Sequence, residues 1–172
     1  EDAAARYRRV SAEELSWALG LPTDGTVLDV GSGTGFYVDD VATHAGRVVG
    51  LDVQPAMHGY YREKGVPANV RLVAGSGAEF PLRAASIDAA YTTMTYHELP
   101  RKAALAEFAR VLVDGGRLVI ADWSADGAGE SGPPLDERFT AADATAHLRD
   151  AGFSVVHEAT RSETFLVVAQ RE

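Results

Sequence analysis

The 172-residue sequence contains no cysteine. That excludes a disulfide framework, a thiolate metal site and a cysteine nucleophile together. It also makes an intracellular, cytoplasmic setting the expected one. Lysine is nearly missing too: Lys64 and Lys102 are the only two, and arginine supplies the other cations. No apolar run approaches the roughly 20 residues of a membrane span, so no membrane partner is expected. No basic stretch followed by an apolar one opens the chain, so no secretory signal is expected. Positive charge is in deficit overall. Acidic residues number 25 against 16 basic ones, a formal net charge of −9. Such a surface repels a polyanion unless its cations cluster. The one dense basic group, Arg6-Tyr7-Arg8-Arg9, is too short for a nucleic-acid groove. No nucleic-acid partner is therefore expected.

What is present reads as one domain, residues 1–172, with an N-terminal helical segment (1–24) before a core (25–172). At this length most of the unfolded surface can be buried without staples. The charged residues 1–10 lead to Ser11-Ala12-Glu13-Glu14, a capping box that opens a short helix ending near Gly20. Pro22-Thr23-Asp24-Gly25 is a turn. Strands are expected at 26–30, 47–52, 70–73, 86–92 and 117–122. Helices are expected at 36–45, 55–64 and 101–112, with Asp114-Gly115-Gly116 turning the chain before the fifth strand. Residues 124–134, rich in Gly, Ser and Pro, read as a flexible loop. Thr140 to Asp143 caps a helix running to Ala151. Strands at 153–159 and 164–169, four residues apart, form an antiparallel hairpin. Strand–helix alternation implies a doubly wound α/β fold. Its Rossmann-like, mainly parallel sheet has seven strands, including the C-terminal antiparallel hairpin.

Ligands of such sheets bind beyond the C-terminal strand ends at the switch point. Val27 to Gly35 supplies that place with the turn Gly31-Ser32-Gly33-Thr34-Gly35. Glycine lets a ligand approach the backbone closely because no Cβ intervenes. Asp52 ends the second strand, where a carboxylate can accept from both ribose hydroxyls. Dinucleotide sites read G-x-G-x-x-G and place a pyrophosphate on the helix N-terminus. Here the text is G-x-G-x-G, and Asp29 stands two residues before it. That carboxylate repels a pyrophosphate and attracts an ammonium, which favours a cationic nucleoside over a dinucleotide.

Val27-Leu28-Asp29-Val30-Gly31-Ser32-Gly33-Thr34-Gly35 resembles the first motif of class I S-adenosylmethionine-dependent methyltransferases, the small type 11-like domain. Gly50 to Met57 resembles the family's ribose and adenine segment. Leu112 to Leu118, Arg138-Phe139-Thr140 and Ala151-Gly152-Phe153 resemble later landmarks, so the likeness covers roughly residues 25–170. It implies S-adenosylmethionine as cofactor, S-adenosylhomocysteine as its product, and a small-molecule acceptor. It places Asp29 on the ammonium side, Gly31, Gly33 and Gly35 at the close approach, and Asp52 on the ribose. Val53 and Met57 flank the adenine, and Gly77 with Ala78 serve its edge. Thr93, just after the fourth strand, borders the same site. The family usually has Asp where this chain has Ser76, a departure that costs about one charge-assisted hydrogen bond.

No metal is expected. One catalytic candidate follows the fourth strand: His97, whose ordinary pKa suits a base near neutrality, with Glu98 to orient it. Family acceptor pockets come from N-terminal helices and from the insertion after the fifth strand. Tyr7, Tyr37, Tyr96, Trp123 and Phe139 are the aromatics expected to line one. Two other readings stand beside the enzyme: a non-catalytic S-adenosylmethionine-binding module or partner subunit, and a nicotinamide-dependent oxidoreductase. The acceptor and the oligomeric state stay open.

Overall fold

The structure, a computed structural model, describes residues 3–21 and 24–172. Helices α1 (Ala3–Arg9) and α2 (Ala12–Leu19) come first. The Ser11 side chain accepts from the Glu14 N–H at 3.1 Å, which satisfies an orphan donor of α2. Gly20, at φ 55°, ends the helix in the left-handed region. The expected turn at 22–25 includes Pro22 and Thr23, which lie outside the described residues.

Next come β1 (Thr26–Val30), α3 (Phe36–Ala42), β2 (Arg47–Asp52), α4 (Pro55–Lys64) and β3 (Val70–Ala74). β4 (Ile87–Thr93), a short 3-10 helix (Tyr96–Glu98), α5 (Arg101–Val111) and β5 (Leu112–Trp123) follow. α6 (Ala141–Asp150), β6 (Phe153–Thr160) and β7 (Thr164–Arg171) complete the chain. Helix α3 is shorter than expected because Thr43 Oγ1 donates back to the Asp40 carbonyl at 2.7 Å. The chain does not turn fully between α5 and β5. Ile87 pairs with Leu112 and Ala89 with Arg117, so residues 113–116 bulge out of one continuous strand, with Gly115 at φ 75°.

The sheet order is β3-β2-β1-β4-β5-β7-β6. Pairings among β1 to β5 are parallel, and β7 is antiparallel to both β5 and β6. The period-two alternation of side chains divides each strand between two cores. Leu28, Val30, Leu118, Ile120 and Val167 pack with Leu105, Phe108 and Leu148 of α5 and α6. Val27, Val119, Leu166 and Val168 pack with Leu15, Val38 and Tyr61 of α2, α3 and α4. Strand order reverses at β1, which has β2 on one side and β4 on the other. A crevice opens there. Among the described residues no helix is long and apolar enough to cross a membrane.

Candidate functional site

The crevice is a cleft of about 410 Å³ at the C-terminal ends of β1, β2 and β4. Its floor is the glycine turn. Gly31 and Ser32 donate their N–H groups to the Leu51 carbonyl at 2.8 and 3.1 Å, tying the turn to the end of β2. Gly31, Gly33 and Gly35 all have left-handed φ, at 82°, 53° and 79°. Their surroundings differ. A Cβ on Gly31 would lie 2.6 Å from the Thr95 side chain, and one on Gly35 2.2 Å from the Tyr61 ring. One on Gly33 would meet nothing within 4 Å. Gly31 and Gly35 are fixed by packing, and Gly33 faces the open cleft.

Asp52 binds this turn from the side. Its Oδ2 accepts from the Gly33 N–H and its Oδ1 from the Gln54 N–H, both at 2.8 Å. Each oxygen keeps acceptor capacity. Below the turn, buried Ser32 Oγ and His58 Nε2 lie 3.2 Å apart. Burial lowers the His58 pKa and so favours the neutral ring.

Asp29 is the anomaly of the site. It is buried, and burial pushes its carboxyl up to about 8; nearby Asp52 also raises it, while the Tyr91 hydroxyl and Arg6 oppose the rise. Asp29 Oδ1 and Tyr91 OH both lack a hydrogen-bond partner at normal distance among the described residues. A buried carboxyl with an orphan oxygen has room for one more donor.

Of the residues expected at the site, Gly31, Gly33, Asp52, Val53 and Met57 line the cleft. Ser76, Gly77 and Thr93 do so as well. Val53 is 67% exposed, an apolar side chain left bare on the cleft wall. Asp29 and Gly35 are not on the wall, because one is buried and the other is packed under Tyr61. Ala78 is also off the wall, and its N–H donates to Ser76 Oγ at 3.0 Å rather than facing a ligand.

His97 is not a wall residue either. Its side chain is 8% exposed, whereas that of Glu98, which lines the cleft, is 72% exposed. The residue orienting His97 is Asp122, not Glu98. Buried Asp122 accepts from the His97 N–H at 2.7 Å and from Nδ1 at 3.0 Å, and this bond raises the His97 pKa against the effect of burial. Nε2 lies 3.6 Å from Glu98 Oε1.

The expected aromatics lie elsewhere. Tyr37, Tyr96 and Trp123 are buried, and no residue from 123 to 139 lines the cleft. Phe139 packs edge-on against Tyr96 and His147, and Tyr7 against Tyr37. The aromatic on the wall is Phe36. Arg6 and Met94 also line it without having been foreseen, and Glu98, expected to orient His97, lines it instead. Arg6 left a trace in the sequence as part of the basic group at 6–9. Met94, at φ 53°, is a left-handed non-glycine residue.

The family model for the methyltransferase domain matches residues 28–120 of this chain. The chain belongs to the methyltransferase domain family. This methyltransferase domain is similar to the ubiquinone/menaquinone biosynthesis C-methyltransferase UbiE of Rhizobium meliloti (strain 1021). The two are 33% identical over 146 residues, 79% of this chain and 55% of that protein. It is 31% identical to the O-methyltransferase rstn1 of Aspergillus nomiae over 172 aligned positions, 91% of this chain and 74% of the relative. Among solved structures, a SAM dependent methyltransferase from Aquifex aeolicus superposes with a TM-score of 0.87 and 30% identity, covering 96% of this chain and 92% of that one. The domain spans only 24% and 55% of the lengths of the first curated relatives it matches. Among the described residues no group of His, Cys, Asp and Glu could hold a metal ion.

Proposed function

We propose that this domain binds S-adenosylmethionine and transfers its methyl group to a small-molecule acceptor. The observation that carries this reading is the orphan Asp29 oxygen buried behind a glycine turn whose middle glycine faces open space. A cationic nucleoside fits both features. Its ammonium compensates Asp29, and its backbone-sized atoms approach where no Cβ stands. Asp52 takes the ribose hydroxyls, and exposed Val53 and Met57 cover the adenine. Ser76 and Gly77 meet the edge of the ring. Ser76 Oγ already accepts from Ala78, so its own O–H is the group offered there.

When bound, the cofactor supplies a methyl group activated on a sulfonium. The chain's residues bind and orient it. Holding acceptor and methyl in line can contribute roughly 7–11 kcal/mol, so no proton-transfer residue is required. His97 is assigned here as a positioning residue. Through Asp122 it fixes the 3-10 turn that sets Glu98 on the cleft rim. A cytoplasmic setting, one domain and a small acceptor belong to the same proposal, supported by the cysteine-free, acidic composition.

Calorimetry with S-adenosylhomocysteine tests the reading. The chain should bind, and Asp52→Ala should bind at least tenfold more weakly. Unchanged affinity removes Asp52 from the site. Thermal stabilisation by NAD but not by S-adenosylhomocysteine assigns the nicotinamide reading instead. Binding without methyl release across an acceptor panel assigns a non-catalytic module.

A further inference from the structure

Helices α5 and α6 leave a groove of about 430 Å³ between them, on the face of the sheet that packs against Leu105 and Leu148. It shares no lining residue with the cleft, although Pro100 of the cleft wall directly precedes Arg101 of the groove. Leu105, Ala106 and Ala151 make part of the lining apolar. The rest is ionisable: Arg101 and Lys102 from the first turn of α5, and His147 and Asp150 from the last turns of α6. A concave site of this size, with apolar side chains and a few convergent polar groups, has the make-up of a small-molecule pocket.

Arg101 is the unusual member. Its guanidinium carbon lies 4.8 Å from the centre of the Phe139 ring, and Phe139 packs edge-on against His147. That stacking holds the half-buried side chain in place. Yet among the described residues none of its five N–H donors meets an acceptor, and it forms no ion pair. Arg110, Arg117, Arg138 and Arg161 all spend theirs on carbonyls or carboxylates. Lys102, exposed at the next position, is likewise without a carboxylate among the described residues, and the first turn of α5 holds no acidic residue. Asp150 is the one anion on the lining. Two cations against one carboxylate make the groove a net positive spot on a chain whose formal charge is −9. His147 reports on that spot. Its Nδ1 lies 3.1 Å from the Tyr96 hydroxyl. Burial and Arg101 lower its pKa, with Asp143 and Asp150 opposing them, so the ring is neutral at pH 7.

We propose that the groove between α5 and α6 is a second binding site, for a small amphipathic monoanion: a carboxylate seated at Arg101 and Lys102, with a short apolar tail along Leu105, Ala106 and Ala151. The planar guanidinium fork suits a carboxylate in particular, and the donors it offers are idle in the free chain. Lys102 adds a second positive charge, and the tail takes apolar surface out of water. A cation is turned away by the same two side chains. A neutral ligand of the same shape gains only the apolar contact. The site does not rest on the nucleoside reading above, because the two ligands touch different residues.

The test is NMR of the isotope-labelled full chain, titrated with hexanoate and, as the uncharged counterpart, with 1-hexanol. Hexanoate should shift the amide signals of residues 101–106 and 147–151 and saturate with a Kd on the order of 5 mM. Hexanol should bind about tenfold more weakly. Arg101→Gln combined with Lys102→Gln should weaken hexanoate about tenfold, to the level of hexanol. Ala106→Trp, an exposed change that fills the groove, should abolish binding of both probes. The His147 ring should titrate at higher pH with hexanoate bound and at an unchanged pH with hexanol, because a neighbouring anion favours the charged ring. Equal affinity for hexanoate and hexanol overturns the proposal. So do shifts centred outside the groove, no saturable shift at all, or unchanged hexanoate affinity in the double variant. A glutamate-rich peptide that binds the groove more tightly than hexanoate also overturns it and assigns the groove to an acidic protein partner. None of these readouts uses S-adenosylhomocysteine, so failure of the nucleoside reading leaves them intact.

Discussion

Two excursions leave the C-terminal edge of the sheet, the glycine turn after β1 and the segment 124–139 after β5, and they differ in what they leave open beside them. The first is itself satisfied but borders an unpaired group and an open space: Asp29 Oδ1, near the end of β1, has no partner among the described residues, and a Cβ on Gly33 would meet nothing within 4 Å. The second closes on itself. The Arg138 side chain is 1% exposed and donates to the carbonyls of Ser131, Pro133 and Ser124 and to Glu163. Glu163 also accepts from the Gly129 and Glu130 N–H groups. The Trp123 ring meets Arg138 at 5.3 Å and Arg9 at 4.4 Å. Composition alone makes the second segment look like the mobile, ligand-facing one. The difference shows that a loop bordering a cleft is told from a closed one by the open space and unpaired group beside it, not by its glycine and serine content.

The largest effect is expected from Arg138→Ala. It removes a buried cation and strands several carbonyls, so stability should fall by about 3 kcal/mol or more in denaturant unfolding. The affinity of the folded protein for S-adenosylhomocysteine should not change. A loss of affinity beyond the loss of fold breaks the comparison, because the segment then contributes to the site.

The turn itself supplies an internal contrast. Gly35→Ala forces a left-handed backbone and a clash with Tyr61, so about 2–3 kcal/mol of stability should be lost. Gly33→Ala carries the backbone cost alone, about 1 kcal/mol. It should nonetheless bind S-adenosylhomocysteine at least tenfold more weakly, because its Cβ enters the space left for the ligand. If the two variants lose stability and affinity in parallel, the distinction between them is wrong.

The smallest effect concerns pH. Asp29 has a folded pKa raised to about 8. The sign follows from its burial. The protonated form is favoured in the folded chain, so this contribution to stability is full below the ordinary carboxylate range and is lost as pH rises through about 8. Pairing with an ammonium needs the ionised form, so cofactor affinity should climb with pH, by at most about tenfold per unit, until that value is reached. Asp29→Asn should flatten the slope. Calorimetry in buffers of different ionisation enthalpy should show a proton released on binding in this window, and no release argues against the pairing.

Legibility followed the range of the interactions. β1, β2 and α4 match their expected bounds because local signals mark them: short apolar runs for the strands, Pro55 at the helix start and Gly65 at its end. Ser11 and Thr140 were readable as caps for the same reason. The two differ in completeness. Asp143 returns its side chain to the Thr140 N–H, whereas Glu14 turns away to pair with Arg161. That second partner is far along the chain, and no local pattern announces it. The same holds for Asp122 beneath His97 and for Arg6 over Phe36. Asp52, Gly31 and Gly33 were legible as cleft residues because motifs of adjacent residues carry them. The rim residues Met94 and Glu98 depend on how β4 ends against β5, where Met94 N–H donates to the Ala121 carbonyl at 2.8 Å. The three expected cofactor positions that lie off the wall do so through burial or local bonding: Asp29 is buried, Gly35 is packed under Tyr61, and the Ala78 N–H is taken by Ser76.

The order β5-β7-β6 has a consequence for synthesis on the ribosome. β6 emerges before β7 but has no place in the sheet until β7 lies against β5. A nascent chain paused after residue 160 leaves the outer backbone edge of β5 unpaired beside Leu118 and Ile120, which β7 otherwise helps to cover. Such an edge is an invitation to association with other chains. Arrival of the strand Thr164–Arg171 therefore covers that edge and gives the waiting β6 its place in the sheet.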